Sequence, residues 1–367
     1  MLTLIIRPIF FIFSLFGFFK IISFYSKKKT NYKKEKISSL ISIIIPCRNE
    51  EKRVVYLLES LKRQTYKNFE IIVVDDNSND NTKIIARNYT EKVVEVKDYY
   101  KDWEGKNAAC YVGALNAKGE YLMFIDADVY LKDTSLEYLV NNFPEDGILT
   151  VQPYHNMSRF YEQFSLFFNI VVFLGLVIDS IGTFKIKRGF FGPLMIVKKE
   201  VYFKIGGHLR VRDSIIEDMD LGNEFVKNNV SIYTISHKEI IIFRMYPEGF
   251  KTLFNGWTKN MSLGASRTSI LSILIITGII STSFNLPINI VLTLLGSKYF
   301  LFFTLCILYI LFVFLLYKSS IFLGNFSFIS SFFSPFFSLF FILVFLRSIV
   351  FKTLHFSLNW RGRRIKI

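Results

Sequence analysis

Apolar residues are concentrated near the two ends of the chain, and the stretch between them mixes short apolar runs with charged segments. The apolar blocks lie at residues 2–24 and at about 269–351. Runs of this length are typical of helices that cross or enter a membrane. The pattern predicts an N-terminal membrane anchor over residues 1–25 and C-terminal membrane segments over residues 268–351. The first block lacks a small-residue cleavage site, which favours an uncleaved anchor over a signal peptide.

The central stretch repeats a short apolar run followed by a segment with helical spacing. The predicted strands are at residues 41–45, 70–74, 93–96 and 121–125, and the predicted helices are at residues 52–64, 82–90 and 106–117. Continuous apolar runs of this length suit buried parallel strands. Strands that alternate with helices predict an α/β domain with a mostly parallel sheet over residues 40–265.

The basic residues bear on how the chain sits in a membrane. The lysines of a basic linker at residues 26–39 place the following domain in the cytoplasm by the positive-inside rule. Three candidate spans, roughly 270–292, 299–317 and 321–346, would then put the basic tail at residues 352–367 outside, against the same rule. One apolar block is therefore expected to be re-entrant or to lie in the interface.

A further apolar stretch lies inside the domain, at residues 164–184, and contains Asn169 and Asp179. A span here would move the second half of the domain across the membrane. We therefore expect an interfacial helix or the lining of an apolar acceptor cleft.

Composition narrows the choice of partners. The formal charge is +15 and 51% of the residues are hydrophobic. A basic chain can bind nucleic acid or anionic lipid, but the basic residues of the central stretch show no aromatic interleaving, so no nucleic-acid partner is expected. Three widely spaced cysteines argue against a disulfide framework or a zinc site and fit a reducing cytoplasm.

The run Asp126-Ala127-Asp128 follows the last predicted strand. One carboxylate can bind a divalent cation that bridges a diphosphate, and the other can bind a ribose hydroxyl or the same ion through water. Glycosyl transfer needs such a cation because the leaving nucleoside diphosphate gains negative charge in the transition state. Taken alone, the run is more often an acidic surface turn.

Three other polar segments lie at ends of predicted elements, at residues 46–51, 75–78 and 103–106. In parallel sheets ligands bind at the carboxyl ends of the strands. Carboxylates there can accept the imide N–H of a uracil, and Arg48 can reach a phosphate. The third segment opens a helix, where a glycine allows close backbone approach and Lys106 suits a phosphate. Each segment alone could be a cap or a turn, but together they predict a nucleotide-sugar site.

In these segments the chain resembles the inverting family 2 glycosyltransferases, which have the GT-A nucleotide-sugar-binding fold. The family pattern is P-x-R-N-E-E, V-V-D-D-x-S-x-D-x-T, G-K-x-x-A and F-x-D-A-D, matched here within residues 43–51, 73–82, 105–109 and 124–128. It continues with Gly-Pro, Gly-Gly and Glu-Asp pairs, found here at residues 192–193, 206–207 and 217–218. The match covers about residues 40–260 and is specific as a set.

The resemblance implies roles for the donor side. Asp76 is expected to contact the base, Asp126 the ribose, and Asp128 a divalent metal, Mg²⁺ or Mn²⁺. The other residues expected to bind the nucleotide-sugar are Pro46, Arg48, Glu50 and Lys106.

By the same resemblance, the Glu217-Asp218 pair supplies the general base, with Asp218 as the expected proton acceptor. An inverting transfer needs one carboxylate to take the acceptor proton on the face opposite the leaving group. Asp220 is the competing candidate, and the three carboxylates could instead only cap a helix.

One departure from the family is informative. Processive members carry Q-x-x-R-W after the catalytic pair, but when its Trp is aligned on Trp257, Leu253 and Gly256 stand in place of Gln and Arg. The sequence therefore predicts a single transfer rather than polymerisation.

Several segments resemble a narrower group, the 4,4'-diaponeurosporenoate glycosyltransferases. They are residues 151–155, 159–162, 243–246 and 256–259, with the tail at residues 359–363. Enzymes of this group esterify a C30 carotenoid carboxylate with glucose from UDP-glucose. The resemblance implies a UDP-sugar donor and a lipid or carotenoid acceptor in the cell membrane. The residues that it suggests for the acceptor side are His155, Gly192, His208 and Trp257.

Two alternatives remain open at the level of sequence. Within the same chemistry, the acceptor could be diacylglycerol, a polyprenyl phosphate or a ceramide-like lipid. In a different class, the chain could be a non-catalytic membrane scaffold with a GT-A fold, although its complete set of carboxylates argues against this.

Overall fold

The structure is a computed structural model of the 367-residue chain. It describes residues 2–26, 33–178, 180, 185–187, 189–236, 238, 240–360 and 362–366. Parts of three predicted segments lie outside the described residues: positions 27–32 of the linker, Asp179 and positions 181–184 of the apolar stretch, and positions 361 and 367 of the tail.

The predicted elements of the central domain are found, with ends that differ by a few residues from the prediction. The helices are α1 (Leu2–Ser26), α2 (Val54–Lys62), α3 (Thr82–Arg87), α4 (Lys106–Leu115), α5 (Ser135–Asn141), α6 (Leu166–Val177), α7 (Lys199–Lys204), α8 (Glu217–Lys227), α9 (Phe250–Ala265), α10 (Ile270–Leu295), α11 (Tyr299–Leu323), α12 (Phe328–Phe332) and α13 (Ser334–Thr353). The strands are β1 (Lys34–Glu35), β2 (Ile41–Cys47), β3 (Phe69–Asp75), β4 (Val93–Glu95), β5 (Tyr121–Ile125), β6 (Val129–Leu131), β7 (Phe143–Pro144), β8 (Gly147–Gln152), β9 (Tyr154–His155), β10 (Lys185–Ile186), β11 (Leu194–Lys198), β12 (Ser231–Ser236), β13 (Ile241–Phe243), β14 (Ser357–Trp360) and β15 (Arg363–Lys366). Short 3-10 helices cover Val96–Asp98, Phe160–Ser165 and Gly207–Val211.

An eight-stranded sheet lies at the centre of the domain, in the order β10-β12-β8-β11-β5-β2-β3-β4. Four of its seven described pairings are parallel: β2 with β3, β2 with β5, β3 with β4, and β8 with β12. The predicted α/β fold with a mostly parallel sheet is therefore confirmed.

The central strand β2 is apolar almost throughout because both faces of the sheet are covered. Neighbouring side chains on a strand point to opposite faces. Ile44 accordingly belongs to the cluster that includes Ala109 of α4, while Ile43 and Ile45 belong to the cluster that includes Leu57 of α2.

Five described helical segments are long and apolar enough to cross a membrane. They are Pro8–Ser26, Phe160–Val177, Ile270–Leu295, Tyr299–Leu323 and Ser334–Thr353. Helices α1 and α10 approach closely at Gly17. A Cβ added at this glycine would lie only 2.7 Å from the Ile275 side chain. The hydroxyl groups of Ser14 and Thr282 are 2.9 Å apart across the same interface.

The contacts of α13 bear on the expected conflict over the tail. Ser338 near its start bonds Ser283, half-way along α10, and Ser348 near its end bonds Ser262, which lies before α10 begins. Between these two bonds, α13 runs along the half of α10 nearest the domain. Gly324, directly after α11, pairs with His155 of the domain. The segment from Gly324 to the end of α13 thus starts and ends beside the domain, and the re-entrant block stays a prediction.

The boundaries of the predicted spans change accordingly. The chain breaks after Leu323, so the predicted span at 321–346 begins too early. Pro335 lies in the first turn of α13, where the helix needs no hydrogen bond from the N–H that proline lacks. Helix α6 alone has 12 residues and a length of about 18 Å, so the candidate segment Phe160–Val177 approaches the roughly 30 Å hydrocarbon core of a bilayer only together with the preceding 3-10 helix.

Candidate active site

A cavity of about 660 Å³ begins at the carboxyl ends of β2, β3 and β5 and continues between the apolar helices. It has the volume typical of small-molecule sites. All residues predicted for the donor, the metal and the base line it: Pro46, Arg48, Glu50, Asp76, Lys106, Asp126, Asp128, Glu217 and Asp218.

The parallel register brings the first of these residues together. Cys47 at the end of β2 pairs with Asp75 at the end of β3, so the segments that follow them lie at the same edge. Arg48 Nη1 donates to the backbone carbonyls of Asp76 at 2.5 Å and Asn77 at 3.2 Å. The guanidinium therefore links the loops after the two strands.

Asp76 is buried and has a fixed orientation. Its Oδ1 accepts the N–H of Gly105 at 3.0 Å. Gly105 precedes α4 with a φ of 100°, a conformation that side chains rarely adopt. The glycine thus lets the backbone turn its N–H onto Asp76 and places the start of α4 in the cavity.

Lys106 lies among three carboxylates. Its Nζ is 2.8 Å from Asp126 Oδ1, 2.9 Å from Glu217 Oε1 and 4.0 Å from Asp218 Oδ1. Burial alone would lower the pKa of Lys106, but the three carboxylates raise it well above its usual value. Lys106 therefore holds the donor-side and base-side carboxylates together as a permanent cation.

Acidic side chains are concentrated around Asp128. Burial, reinforced by Asp126 and Glu50, raises the pKa of Asp128 well above its ordinary value. Arg53 partly offsets this charge, with its guanidinium 2.9 Å from Glu50 and 3.9 Å from Asp128. It also contacts Glu248 at 3.2 Å. A divalent cation beside Asp128 would favour the ionised carboxylates.

The carboxylates of the cavity suit a metal ion that is bound together with a nucleotide. The described residues contain no group of three or more His, Cys, Asp and Glu side chains placed to hold an ion by themselves. Hard divalent cations bound with nucleotides use one or two carboxylates together with phosphate oxygens and water. Asp126 and Asp128 fit a metal of that kind, held jointly with a diphosphate.

Asp218 and Asp220 lie in different surroundings. Asp218 lines the cavity, and burial raises its pKa to about 8 despite the opposing effect of Lys106. Asp220 points to another cleft, where Arg267 Nε and Nη2 donate to it at 2.6 and 3.0 Å and Ser214 donates at 2.6 Å. This pairing makes Asp220 a poor candidate for the base.

Gly192 is in close contact with Asp218. A Cβ added at Gly192 would lie 1.9 Å from Asp218 Oδ2 and 2.4 Å from its Oδ1. The glycine of the Gly-Pro pair therefore supplies the open space that the Asp218 carboxylate occupies.

Three of the four residues suggested for the acceptor side line the cavity: His155, Gly192 and Trp257. Trp257 stacks on Phe168 with ring centroids 4.6 Å apart, and its Nε1 donates to Ser165 at 3.1 Å. Burial lowers the pKa of His155 to about 3, so this side chain is neutral.

The structure does not bring His208 to the cavity lining. It is 3% exposed, its Nδ1 lies 2.9 Å from the Tyr202 hydroxyl, and its ring packs against Phe124 at 5.0 Å. The sequence around His208, a histidine after a Gly-Gly pair, does not distinguish a buried core residue from a residue of the active site.

The far half of the cavity is apolar. Residues from α6, α10 and α13 line it: Val171, Val172, Leu176, Ile273, Ile276, Thr277, Ile280, Phe341, Ile342 and Phe345. The part of the apolar stretch in α6 therefore lines a cleft, which is one of the two arrangements expected for it.

Three basic residues at the site were not predicted: Arg53, Lys259 and Arg363. Lys259 and Arg363 line the cavity, and Arg53 contacts Asp128. Burial lowers the pKa of Lys259, which lies near Glu217. Lys259 follows Trp257 by two residues, so the Gly256–Lys259 segment was the signal that could have found it.

Comparisons with known proteins agree with this geometry. Residues 42–218 match the family model described as Glycosyl transferase family 2. Over 234 residues the chain is 39% identical to a 4,4'-diaponeurosporenoate glycosyltransferase of Staphylococcus aureus strain MRSA252, and equally to that of strain USA300. The alignment covers 62% of this chain and 62% of each relative, so the chain matches less than two thirds of their length.

Similarity to a solved structure extends through the helices. A mannosyltransferase from Pyrobaculum calidifontis, solved in complex with GDP-Man and Mn²⁺, covers 94% of this chain and 98% of its own, with a TM-score of 0.54 and 14% identity. At this identity the likeness concerns the fold alone. Residues 42–218 therefore match the glycosyl transferase family 2 model, and the chain has a GT-A fold.

Proposed function

We propose that the protein is a membrane-bound inverting glycosyltransferase that moves one glucose from UDP-glucose to the carboxylate of a C30 carotenoid acid. The observation that carries the proposal is that one continuous cavity joins a carboxylate-rich end at the strands to an apolar end between the helices. A charged donor and a long apolar acceptor need those two environments side by side.

The donor end suits a nucleoside diphosphate sugar. Asp76 offers an acceptor to an imide N–H, and Arg48 and Lys106 supply positive charge on either side of the carboxylates. We assign the ribose to Asp126 and a divalent metal to Asp128, in keeping with the Mn²⁺ of the mannosyltransferase that shares the fold. When bound, the metal would stabilise the charge on the departing diphosphate.

The acceptor end suits a polyene that enters from the bilayer. The cavity is lined by apolar residues of α10 and α13, and its carboxylate-rich end includes Asp218. The naming of the Staphylococcus aureus relatives supports a carotenoid acid as the acceptor. The lysines of the basic linker support a cytoplasmic catalytic domain.

In the proposed reaction an acceptor oxygen attacks the anomeric carbon of the sugar from the face opposite the diphosphate. The new C–O bond forms as the bond to the diphosphate oxygen breaks, and the nucleoside diphosphate leaves with the electron pair. Asp218 takes the proton when the acceptor is a hydroxyl or water. A carboxylate acceptor brings no proton, so Asp218 then has less to do than the groups that bind the diphosphate.

The test is transfer of labelled glucose by purified full-length protein in nanodiscs, with and without Mn²⁺. The acceptor panel contains a C30 carotenoid acid, diacylglycerol and a polyprenyl phosphate, and Asp128→Asn is the control. We expect a metal-dependent glycosyl ester from the carotenoid acid only. Transfer to another lipid alone would mean that this lipid, and not the carotenoid acid, is the acceptor. If the wild-type protein neither transfers glucose nor hydrolyses UDP-glucose, a non-catalytic scaffold becomes the better explanation.

A further inference from the structure

The last residues of the chain form part of the wall of the donor end. Strands β14 and β15 make an antiparallel hairpin whose turn contains Gly362 with a φ of 75°. A Cβ added at Gly362 would lie 3.1 Å from Asn49 Nδ2, and one added at Gly105 would lie 3.5 Å from Arg363 Nη1. The hairpin therefore packs on the loops that follow β2 and precede α4.

Arg363 makes a two-pronged salt bridge to Asp76. Its Nη1 donates to Asp76 Oδ2 at 3.0 Å and its Nη2 to Asp76 Oδ1 at 3.2 Å. Nη2 also donates to Glu104 Oε2 at 2.6 Å. The side chain of Asp76 is 5% exposed and that of Arg363 is 19% exposed, whereas Glu104 is 55% exposed. A paired guanidinium fixes the plane of a carboxylate, which a single lysine ammonium does not.

The hydrogen bonds of Asp76 leave one position for a ligand. Oδ1 accepts from both Gly105 and Arg363, whereas Oδ2 accepts from Arg363. A carboxylate oxygen has two accepting lone pairs. Among the described residues, Asp76 Oδ2 thus keeps an accepting position in a side chain that lines the cavity.

We propose that Arg363 is a positioning residue that holds Asp76 Oδ2 toward the N–H of a uracil base and so contributes to base selection. The proposal rests on the proposed function, since it takes a uracil nucleotide as the donor. Uracil presents an N–H at its ring nitrogen N3, where cytosine has only a lone pair. A carboxylate held in one orientation therefore favours UDP over CDP, and a carboxylate that swings freely loses part of that preference.

The experiment measures the affinities of detergent-solubilised full-length protein for UDP and CDP by calorimetry in the presence of Mn²⁺. The variants are Arg363→Ala and Arg363→Lys. Lys352→Ala is the matched control, because it removes one positive charge at the end of α13, away from the cavity lining. The UDP-to-CDP ratio comes from one preparation, so a loss of folded protein cannot imitate the effect.

We expect Arg363→Ala to weaken UDP binding by about tenfold, the change that one charge-assisted hydrogen bond produces, and CDP binding by less than about threefold. Arg363→Lys should recover part of the UDP affinity without the preference, and Lys352→Ala should match the wild type. An equal loss of affinity for UDP and CDP would mean that Arg363 contributes only its positive charge and does not select the base. Equal or tighter UDP binding by Arg363→Ala would make the hairpin a plug instead. A wild-type protein that binds neither nucleotide would overturn the proposed function as well.

Discussion

Replacing Gly192 with alanine should remove catalysis without removing donor binding. The added Cβ would lie 1.9 Å from Asp218 Oδ2, whereas ordinary contacts begin at 3.4 Å. The carboxylate must therefore retreat by about 1.5 Å. A misplacement of about 1 Å at a reacting group can lower a rate by about 10²-fold.

The assay is hydrolysis of UDP-glucose by purified protein, in which water is the acceptor and needs a base. We expect the Gly192→Ala turnover to fall by about 10²-fold, while UDP binding stays within about twofold of the wild type, because Asp218 is not among the residues assigned to the nucleotide. The unchanged UDP affinity also shows that the variant is folded.

The control is Gly264→Ala, which adds the same methyl group to another residue of the cavity lining. Nothing lies within 4 Å of a Cβ at Gly264, so turnover should be unchanged. The reasoning fails if Gly192→Ala hydrolyses UDP-glucose within about threefold of the wild-type rate, because displacement of Asp218 would then have no consequence.

Two further predictions concern pH and the shape of the cavity. Because burial raises the pKa of Asp218 to about 8, its ionised form is scarce below that pH, so UDP-glucose hydrolysis should rise about tenfold per pH unit from pH 6 to 8 and then level off. Asp218→Asn should be slow and flat over the same range, and a flat wild-type profile would remove Asp218 as the base. Ile276→Trp should block transfer to the carotenoid acid but spare hydrolysis, because Ile276 lines the apolar end. Leu274→Trp is the control, because the Leu274 side chain on α10 is 41% exposed. An equal loss of transfer in both variants would mean that the tryptophan disturbs the packing of the helices and not the cavity.

The carboxyl-end site could be predicted because its signals are local. An apolar run that ends in Asp126 or Asp76 reports both a buried strand and the polar group that follows it. Parallel pairing then brings the ends together, as the register of Cys47 with Asp75 illustrates. The family resemblance added roles to these positions, but their juxtaposition follows from the pattern alone.

The parts that could not be predicted depend on contacts between distant residues. Arg363 and Asp76 are 287 positions apart, and no periodicity links a tail hairpin to a strand end. Hydropathy also reports the length of an apolar block and not its direction. It therefore identifies α13 as a candidate span, but it does not give the position of α13 beside α10 that its bonds to Ser283 and Ser262 set.

Charge along the cavity limits which acceptor head group can reach the sugar. The lining contains the carboxylates of Glu50, Asp76, Asp126, Asp128, Glu217 and Asp218 and the cations Arg48, Lys106, Lys259 and Arg363. Little net negative charge lies on the base side at neutral pH, because burial raises the pKa of Asp218 to about 8 while Lys106 and Lys259 lie near Glu217. A protonated Asp218 can donate a hydrogen bond to a singly charged carboxylate, whereas a phosphate head group would bring a second negative charge into a buried site. The same burial that makes Asp218 a weak base for water at pH 7 therefore favours a carboxylate acceptor over a polyprenyl phosphate.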